Sequence, residues 1–415
     1  MNIAVLHDNF PPHSVGGADI IAYNLAREYH RNGHTVLVIT TTRDAARAGV
    51  TQVNGLTVHT IATSYDLRFQ AYVSLWNIPV VAKVQRILAD WKPEVVHAHN
   101  VHGYLSYRSL VVAKKLGARV ILTVHDVMSF NYQKLTDFID PADLSVPTTF
   151  NYRVSAWRQL VTNRFRYNPL RNLLIRRILE KNVDRIVTVS DALRQALSDN
   201  GIGNTQTIHN GIDVAEWEEP AENVAAFKRA HGVGDAAMFF GGRLSGVKGA
   251  ANLIKALALV TKTVPEAQLL AVGQKDAYAK KMLALAHELG IADKILFTGW
   301  LSGHQLHQAH HAAAVVVVPS LCFDSFPTMN IEGMACKKPV VATCFGGSRE
   351  AVVDDITGFI NNPFDVPTIA AKLVDLLHDT AKRTAFGEAG YQRVREQFPL
   401  TQQVEAYQQL FAICK

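Results

Sequence analysis

The sequence predicts an α/β protein of two similar halves, each a parallel sheet with helices packed on its faces. Three observations predict it. Short β-branched runs alternate with helical patterns along the chain, the alternation restarts past residue 206, and 415 residues exceed what one compact core serves.

The composition, 48% hydrophobic and 19% charged, is that of a globular chain. No apolar run approaches the roughly 20 residues of a membrane span. The longest, from Ala312 to Val318, reads as a strand. The opening "MNIAVLH" runs into a loop without the basic start, apolar middle and small-residue exit of a signal peptide, so a cytoplasmic location is expected. The four cysteines have neither metal-ligand spacing nor the density of a disulfide scaffold and read as reduced thiols.

In the first half the strands are "NIAVLH", "TVLVIT", "EVVHAH", "RVILTVH" and "RIVTVS", each leading through a turn into a helical pattern. The first strand ends in a Pro-rich loop, and Gly16-Gly17 then opens a helix. Lacking Cβ atoms, these glycines let backbone N–H groups approach an anion at a helix N-terminus, although a tight turn explains them equally. Between Asn151 and Arg185 nine cations face two acids, so this stretch carries more than the whole formal charge of +6. Its interleaved Tyr152, Trp157, Phe165 and Tyr167 fit a surface for phosphate or a membrane; a solvated helix face is the alternative. No nucleic-acid-binding motif accompanies the charge, so a nucleic-acid partner is not expected.

The seam is expected near Gln206, in the approach to "TIHNGIDVAEWEEP", giving domains 1–205 and 206–394. A C-terminal helix, 395–415, would cross back onto the first domain. The second half's strands are "AMFFGGR", "AQLLAVG", "KILFTG", "AVVVVPS" and "PVVAT".

In parallel sheets ligands sit beyond the carboxyl ends of the strands, so the strand-to-helix loops hold the candidates. "FGGRLSGVKG" offers Arg243 and Lys248, a guanidinium fork and an ammonium suited to a diphosphate, or two solvated cations. "SLCFDSFPTMNIEGMACKKP" puts Asp324 in a loop. Pro327 enters a helix running to about Cys336, and Glu332 lies one turn inside it. Carboxylates accept paired hydrogen bonds from vicinal hydroxyls, so this pair suits sugar and ribose. "TCFGGSREAVV" adds a second Gly-Gly before a helix whose first turn holds Glu350.

Together, "GGA" after the first strand, "HNGID", "GGRLSGVKG", "PSLCFDSFPTMNIEGMACKKPVVAT" and "FGGSREAVVDDITGFINNP" resemble the retaining glycosyltransferases of family 4. The resemblance runs from near the start to about Pro363 and is most specific from Pro319 onward. In the early first half it touches only Gly16-Gly17, "EVVHAH" and "VHD". It implies the GT-B fold, two Rossmann-like domains whose parallel sheets face across a cleft, with an acceptor-binding first domain and a nucleotide-sugar-binding second. It also implies Arg243 and Lys248 on the donor diphosphate, Glu332 on the ribose and Asp324 on the transferred sugar. Phe326, Pro327, Thr328, Gly347, Ser348 and Glu350 would line the same donor site, with Gly16 and Gly17 contributing from the first domain. His125 resembles the histidine that contacts the sugar; a satisfied buried histidine is the alternative.

The family commonly has glutamate at both ends of E-x7-E, whereas Asp324 here is one methylene shorter, so the sugar would sit deeper or be met through water. The implied reaction is transfer of a hexose from a UDP- or GDP-sugar, a substrate and not a cofactor, to a glycan or lipid-diphosphate-linked glycan in cell-surface polysaccharide synthesis. No D-x-D occurs, so no metal clamp is expected. Arg153, Trp157, Arg164, Arg166, Arg176 and Arg177 are the candidates for the acceptor or for an anionic membrane at the inner face. Two rivals are a nucleotide-sugar epimerase of the same architecture and a non-catalytic nucleotide-sugar-binding protein. A dehydrogenase is disfavoured because the glycine fingerprint is missing.

Overall fold

The computed structural model describes residues 1–13, 16–242 and 245–413. They form two compact units: Met1–Asp137 with Asn151–Asn210 and the chain from Thr401 on, and Gly211–Leu400 with Phe138–Phe150.

The first unit is an eight-stranded sheet of β1 (Asn2–Leu6), β2 (Thr35–Thr42), β3 (Gly49–Val53), β4 (Leu56–Ala62), β5 (Val95–Ala98), β6 (Arg119–Val124), β7 (Arg185–Thr188) and β8 (Thr205–Thr207). Its order is β3-β4-β2-β1-β5-β6-β7-β8, parallel except for β3 against β4. The β3–β4 hairpin turns at Asn54-Gly55, both with positive φ, as a two-residue hairpin loop requires. Helices on both faces bury the β-branched runs, so Ile3, Val5, Val38, Val96 and Ile121 are fully enclosed. The helix Leu400–Ile413 belongs to this unit from Thr401 on. Its Tyr407 hydroxyl lies 2.8 Å from Thr123 Oγ1, and Phe411 packs edge-on against Tyr29 at 5.2 Å.

The second unit is a six-stranded parallel sheet of β9 (Ala237–Gly241), β10 (Gln268–Val272), β11 (Ile295–Gly299), β12 (Val315–Val318), β13 (Val340–Thr343) and β14 (Gly358–Asn361), in the order β11-β10-β9-β12-β13-β14. Leu253 and Leu257 of the helix Ala250–Val260 and Leu373 and Leu376 of the helix Val366–His378 are enclosed in its core. Each such leucine contributes about 1.5–3 kcal/mol.

The observed division differs from the expected one at three places, one of them the crossover, which begins at Thr401 and not at residue 395 because the helix Thr380–Gln397 runs on through 395 within the second unit. The seam falls at Asn210, because Thr205–Thr207 pairs with β7 and a cut at 206 would split a strand. Residues 138–150, expected in the first domain, belong to the second unit. Phe138 and Phe150 both pack edge-on against Phe345, at 5.8 and 5.9 Å. The segment's carbonyls are also satisfied there: Arg349 donates to Pro147 O at 3.0 Å, and Asn362 Nδ2 to Asp143 O and Ser145 O at 2.7 Å. Among the described residues no helix is long and apolar enough to cross a membrane.

Candidate functional site

Strand order reverses direction at β1 in the first sheet and at β9 in the second, where β9 pairs with both β10 and β12. The crevice beyond such a switch point is where ligands bind in sheets of this kind. In the second unit the loops after β9 and β12 meet there. Gly249 ends the first loop at φ +80°, and a Cβ on it would lie 1.9 Å from Pro319 O, so the two loops touch backbone to backbone. Gly346, at φ +84°, brings the loop after β13 against Asp324, where a Cβ would lie 2.2 Å from Asp324 O, and that oxygen accepts from Gly347 N at 2.9 Å.

These close approaches assemble the polar side chains. Lys248 Nζ donates to Asp324 Oδ2 at 2.6 Å, and Ser320 Oγ donates to the same oxygen at 2.7 Å. The pair is partly screened, the lysine side chain 30% and the aspartate 16% exposed. Lys248 and Asp324, expected on diphosphate and sugar, thus stand in direct contact. Arg243 lies outside the described residues.

Pro327 caps the helix Thr328–Ala335, whose first residue hydrogen-bonds Glu332 through its side chain. The Glu332 carboxyl is pushed up to about 7, first by burial and against the opposing Thr328 contact. Behind it, 3.7 Å from Oε2, lies Nε2 of His310, a fully buried ring stacked on Phe239 at 3.9 Å. Burial holds His310 well below its ordinary pKa, so the contact is not an ion pair. Phe326 is buried, with its ring centroid 5.7 Å from that of Phe398. Ser348 opens the short helix Ser348–Ala351 with a buried, unpartnered hydroxyl, and Glu350 follows in the same turn. Asn330, fully enclosed, leaves both amide atoms without a hydrogen-bond partner.

The first unit collects histidines beyond its own switch point. His125 follows β6, and its Nε2 lies 2.9 Å from Nδ1 of His99, which follows β5. Burial, with help from nearby His7, pushes His125 down to about 3, so at neutral pH it is an uncharged hydrogen-bonding ring. Asp8, after β1, accepts from the backbone N–H groups of Gly103 at 2.5 Å, Tyr104 at 2.8 Å and Leu105 at 2.7 Å. Gly16 caps the helix Gly17–Arg31, and its N–H donates to Asp19 at 3.0 Å. His7, Asp8, His99, Ser320 and Asn330 are absent from the sequence-level set. For His7, Asp8 and His99 the usable signal is position, just past the ends of β1 and β5, where the switch-point rule points.

The basic segment divides. Trp157 and Phe165 are 72% and 66% exposed, and Arg153, Arg164, Arg166 and Arg177 are exposed as well. Arg176 reaches Glu180 at 3.7 Å. Tyr152 and Tyr167 point inward, and Arg171 is fully buried, donating to Met128 O at 2.6 Å. The exposed face extends to Phe69, Tyr72 and Trp76, since the Tyr72 hydroxyl donates to Phe165 O at 3.1 Å.

Two parallel-sheet α/β units with loops converging at the switch points define a GT-B protein, and solved structures agree. Sucrose-phosphate synthase from Thermosynechococcus elongatus superposes with a TM-score of 0.77 at 22% identity over 99% of each chain. Anabaena HepE in complex with UDP-glucose superposes at 0.74 and 20%, again over 99% of each. Residues 15–216 match the profile of Glycosyltransferase Family 4, and 223–393 that of Glycosyl transferases group 1. An uncharacterized glycosyltransferase of Methanocaldococcus jannaschii is 26% identical over 392 residues, 91% of this chain and 90% of that one. The chain belongs to family 4 of the glycosyltransferases.

Proposed function

We propose that the protein is a retaining hexosyltransferase. It moves a hexose-type sugar from a UDP- or GDP-sugar to a glycan or lipid-diphosphate-linked glycan in cell-surface polysaccharide or glycoconjugate synthesis. The observation that carries this reading is the contact of Lys248, Ser320 and Asp324 at the β9/β12 switch point, with Glu332 on the helix that follows. The UDP-glucose held by the Anabaena protein of like fold supports a nucleotide-sugar donor.

In this reading Asp324 accepts from sugar hydroxyls, Glu332 from the ribose, and Lys248 with Arg243 neutralises the diphosphate. Asn330 and Ser348 offer the buried, unpartnered polar atoms that a ligand or ordered water would satisfy. His125 offers an uncharged ring nitrogen to a sugar hydroxyl. The bond from the anomeric carbon to the diphosphate breaks, and the acceptor oxygen bonds to that carbon on the same face. The acceptor's proton passes to the departing diphosphate oxygen. The cations and helix N-termini stabilise the charge developing there, so the step needs no metal. The exposed aromatic and arginine face of the first unit would rest on an anionic membrane, at its inner leaflet, where a lipid-linked acceptor is presented.

The test is thermal stabilisation by UDP, GDP, ADP and their sugar conjugates in EDTA. A ligand at 100 times its dissociation constant stabilises by about 2.7 kcal/mol. One nucleotide should stand out, and its sugar conjugate should yield product of retained anomeric configuration. No shift with any nucleotide at millimolar concentration would overturn the donor site. Product formed only with added metal would overturn the electrostatic account.

A further inference from the structure

The second unit carries a cluster that this reaction does not use. The helix His304–Ala312 follows β11, the outermost strand on its side of the sheet and two strands removed from β9. Its first two turns present His304 and His307 on one face, as i, i+3 spacing requires. Facing them is Glu219, from the loop before the helix Ala221–His231. Glu219 Oε1 lies 2.6 Å from His304 Nδ1 and 3.7 Å from His307 Nδ1, and the three donor atoms all fall within 4.8 Å of one another.

The Glu219 side chain is completely enclosed, whereas that of His304 is 82% exposed. The Nδ1 of His307 is buried and has no hydrogen-bond partner. A buried imidazole nitrogen left open 3.7 Å from a carboxylate is a group waiting for a shared partner. The surroundings hold the other ends still. Gln308 Nε2 reaches Glu219 Oε2 at 3.3 Å, the His307 ring lies 4.4 Å from that of Trp217, and the Trp217 carbonyl lies 2.8 Å from His311 Nε2.

We propose that Glu219, His304 and His307 form a binding site for a single divalent transition-metal ion of the zinc type. Two imidazole nitrogens and one carboxylate oxygen match Zn²⁺ and exclude Mg²⁺ or Ca²⁺, which take oxygen ligands. Bonds of about 2.0–2.2 Å in a tetrahedron place ligand atoms roughly 3.3–3.5 Å apart. The His307–Glu219 spacing of 3.7 Å is already close to that. The His304 spacing must open, and an exposed ring turns to do so freely. The fourth position faces the solvent beside His304. The ion ties the loop before the helix Ala221–His231 to the helix His304–Ala312. The latter helix follows β11, two strands from the switch point at β9, so the site is a structural clamp and not part of the transfer step.

The full-length protein, stripped with chelator and returned to metal-free buffer, is titrated with ZnCl2 by calorimetry and with CoCl2 by visible absorption. One ion per chain should bind, with tetrahedral cobalt bands. His307→Ala and Glu219→Gln should each weaken binding by more than the roughly 10–100-fold that loss of an outer partner costs, while His287→Ala should leave it unchanged. Zinc should also raise the unfolding temperature of the parent and not of His304→Ala/His307→Ala. Circular dichroism and nucleotide-induced stabilisation of each variant separate a lost ligand from a lost fold. Absence of stoichiometric binding, or binding that survives both His307→Ala and Glu219→Gln, overturns the site.

Discussion

Replacing Glu332 by Gln tests the electrostatics of the helix Thr328–Ala335 without any ligand. The carboxyl is raised from 4.5 to about 7 because burial disfavours its charged form. At a pH above 7 the folded protein therefore bears the cost of ionising it, about 3 kcal/mol at 1.36 kcal/mol per unit. A group raised in the folded state contributes its stability in full below its unfolded pKa, near 4.5, and that stability is lost as pH rises through about 7. The amide of Glu332→Gln does not ionise. Its stability relative to the parent should thus be constant below pH 4.5, climb between 4.5 and about 7, and level off about 3 kcal/mol higher. For a unit of this size that is roughly 6–12 °C in the midpoint of thermal unfolding. The assay is thermal or urea unfolding of both proteins across pH 4–8.5. Titrating groups remote from Glu332 cancel in the difference. A difference that stays flat over this range would refute the claim that burial holds Glu332 partly protonated.

If ribose hydroxyls are received by ionised Glu332, nucleotide affinity should fall up to about tenfold per pH unit below about 7, a slope absent in Glu332→Gln, as calorimetry would measure. Lys248→Met leaves Asp324 without its cation and should lower kcat/KM by about 10²–10³, with Ser320 still in place to hold the loop. Gly249→Ala meets both a positive φ and the Pro319 carbonyl and should destabilise the second unit by roughly 3 kcal/mol or more in urea. Trp157→Ser with Phe165→Ser should cut retention on phosphatidylglycerol vesicles at low salt while leaving transfer to a soluble acceptor unchanged.

The β-branched runs announced most of both sheets, because a strand buried on both faces writes itself as a short apolar run. The hairpin β3–β4 went unread although Asn54-Gly55 is its signature, since its outer strand is polar and exposed. β8, of three residues, is shorter than any dependable period, and β14 offers only Phe359 and Ile360 between Gly358 and Asn361. In the site, Lys248 and Asp324 were legible singly. Their contact across 76 residues was not, because it depends on Gly249 lying against Pro319, a tertiary fact. Arg171 is one of the nine cations of the basic stretch and yet no part of its surface. It shares its helix face with buried Ile175 and Leu179, four and eight positions on, and the spacing alone marks it as inward. Aromatic residues 138 and 150 bracket a segment that no local pattern assigns to the second unit, because its partners lie some 200 residues away.

The exchange of segments between the units bears on how the chain is made. The first unit is complete only when Thr401 onward supplies Tyr407 and Phe411 to the face of Tyr29 and Thr123. At ~5–20 residues per second, ~10–40 s of synthesis separates Asn210 from Thr401. Throughout that interval the nascent first unit presents an uncovered apolar face, together with the aromatic segment 138–150 whose own partners are still unmade. A single proteolytic cut at 210 would likewise strand both pieces. Coexpressed as two chains, they should recover their folds only by reassociating.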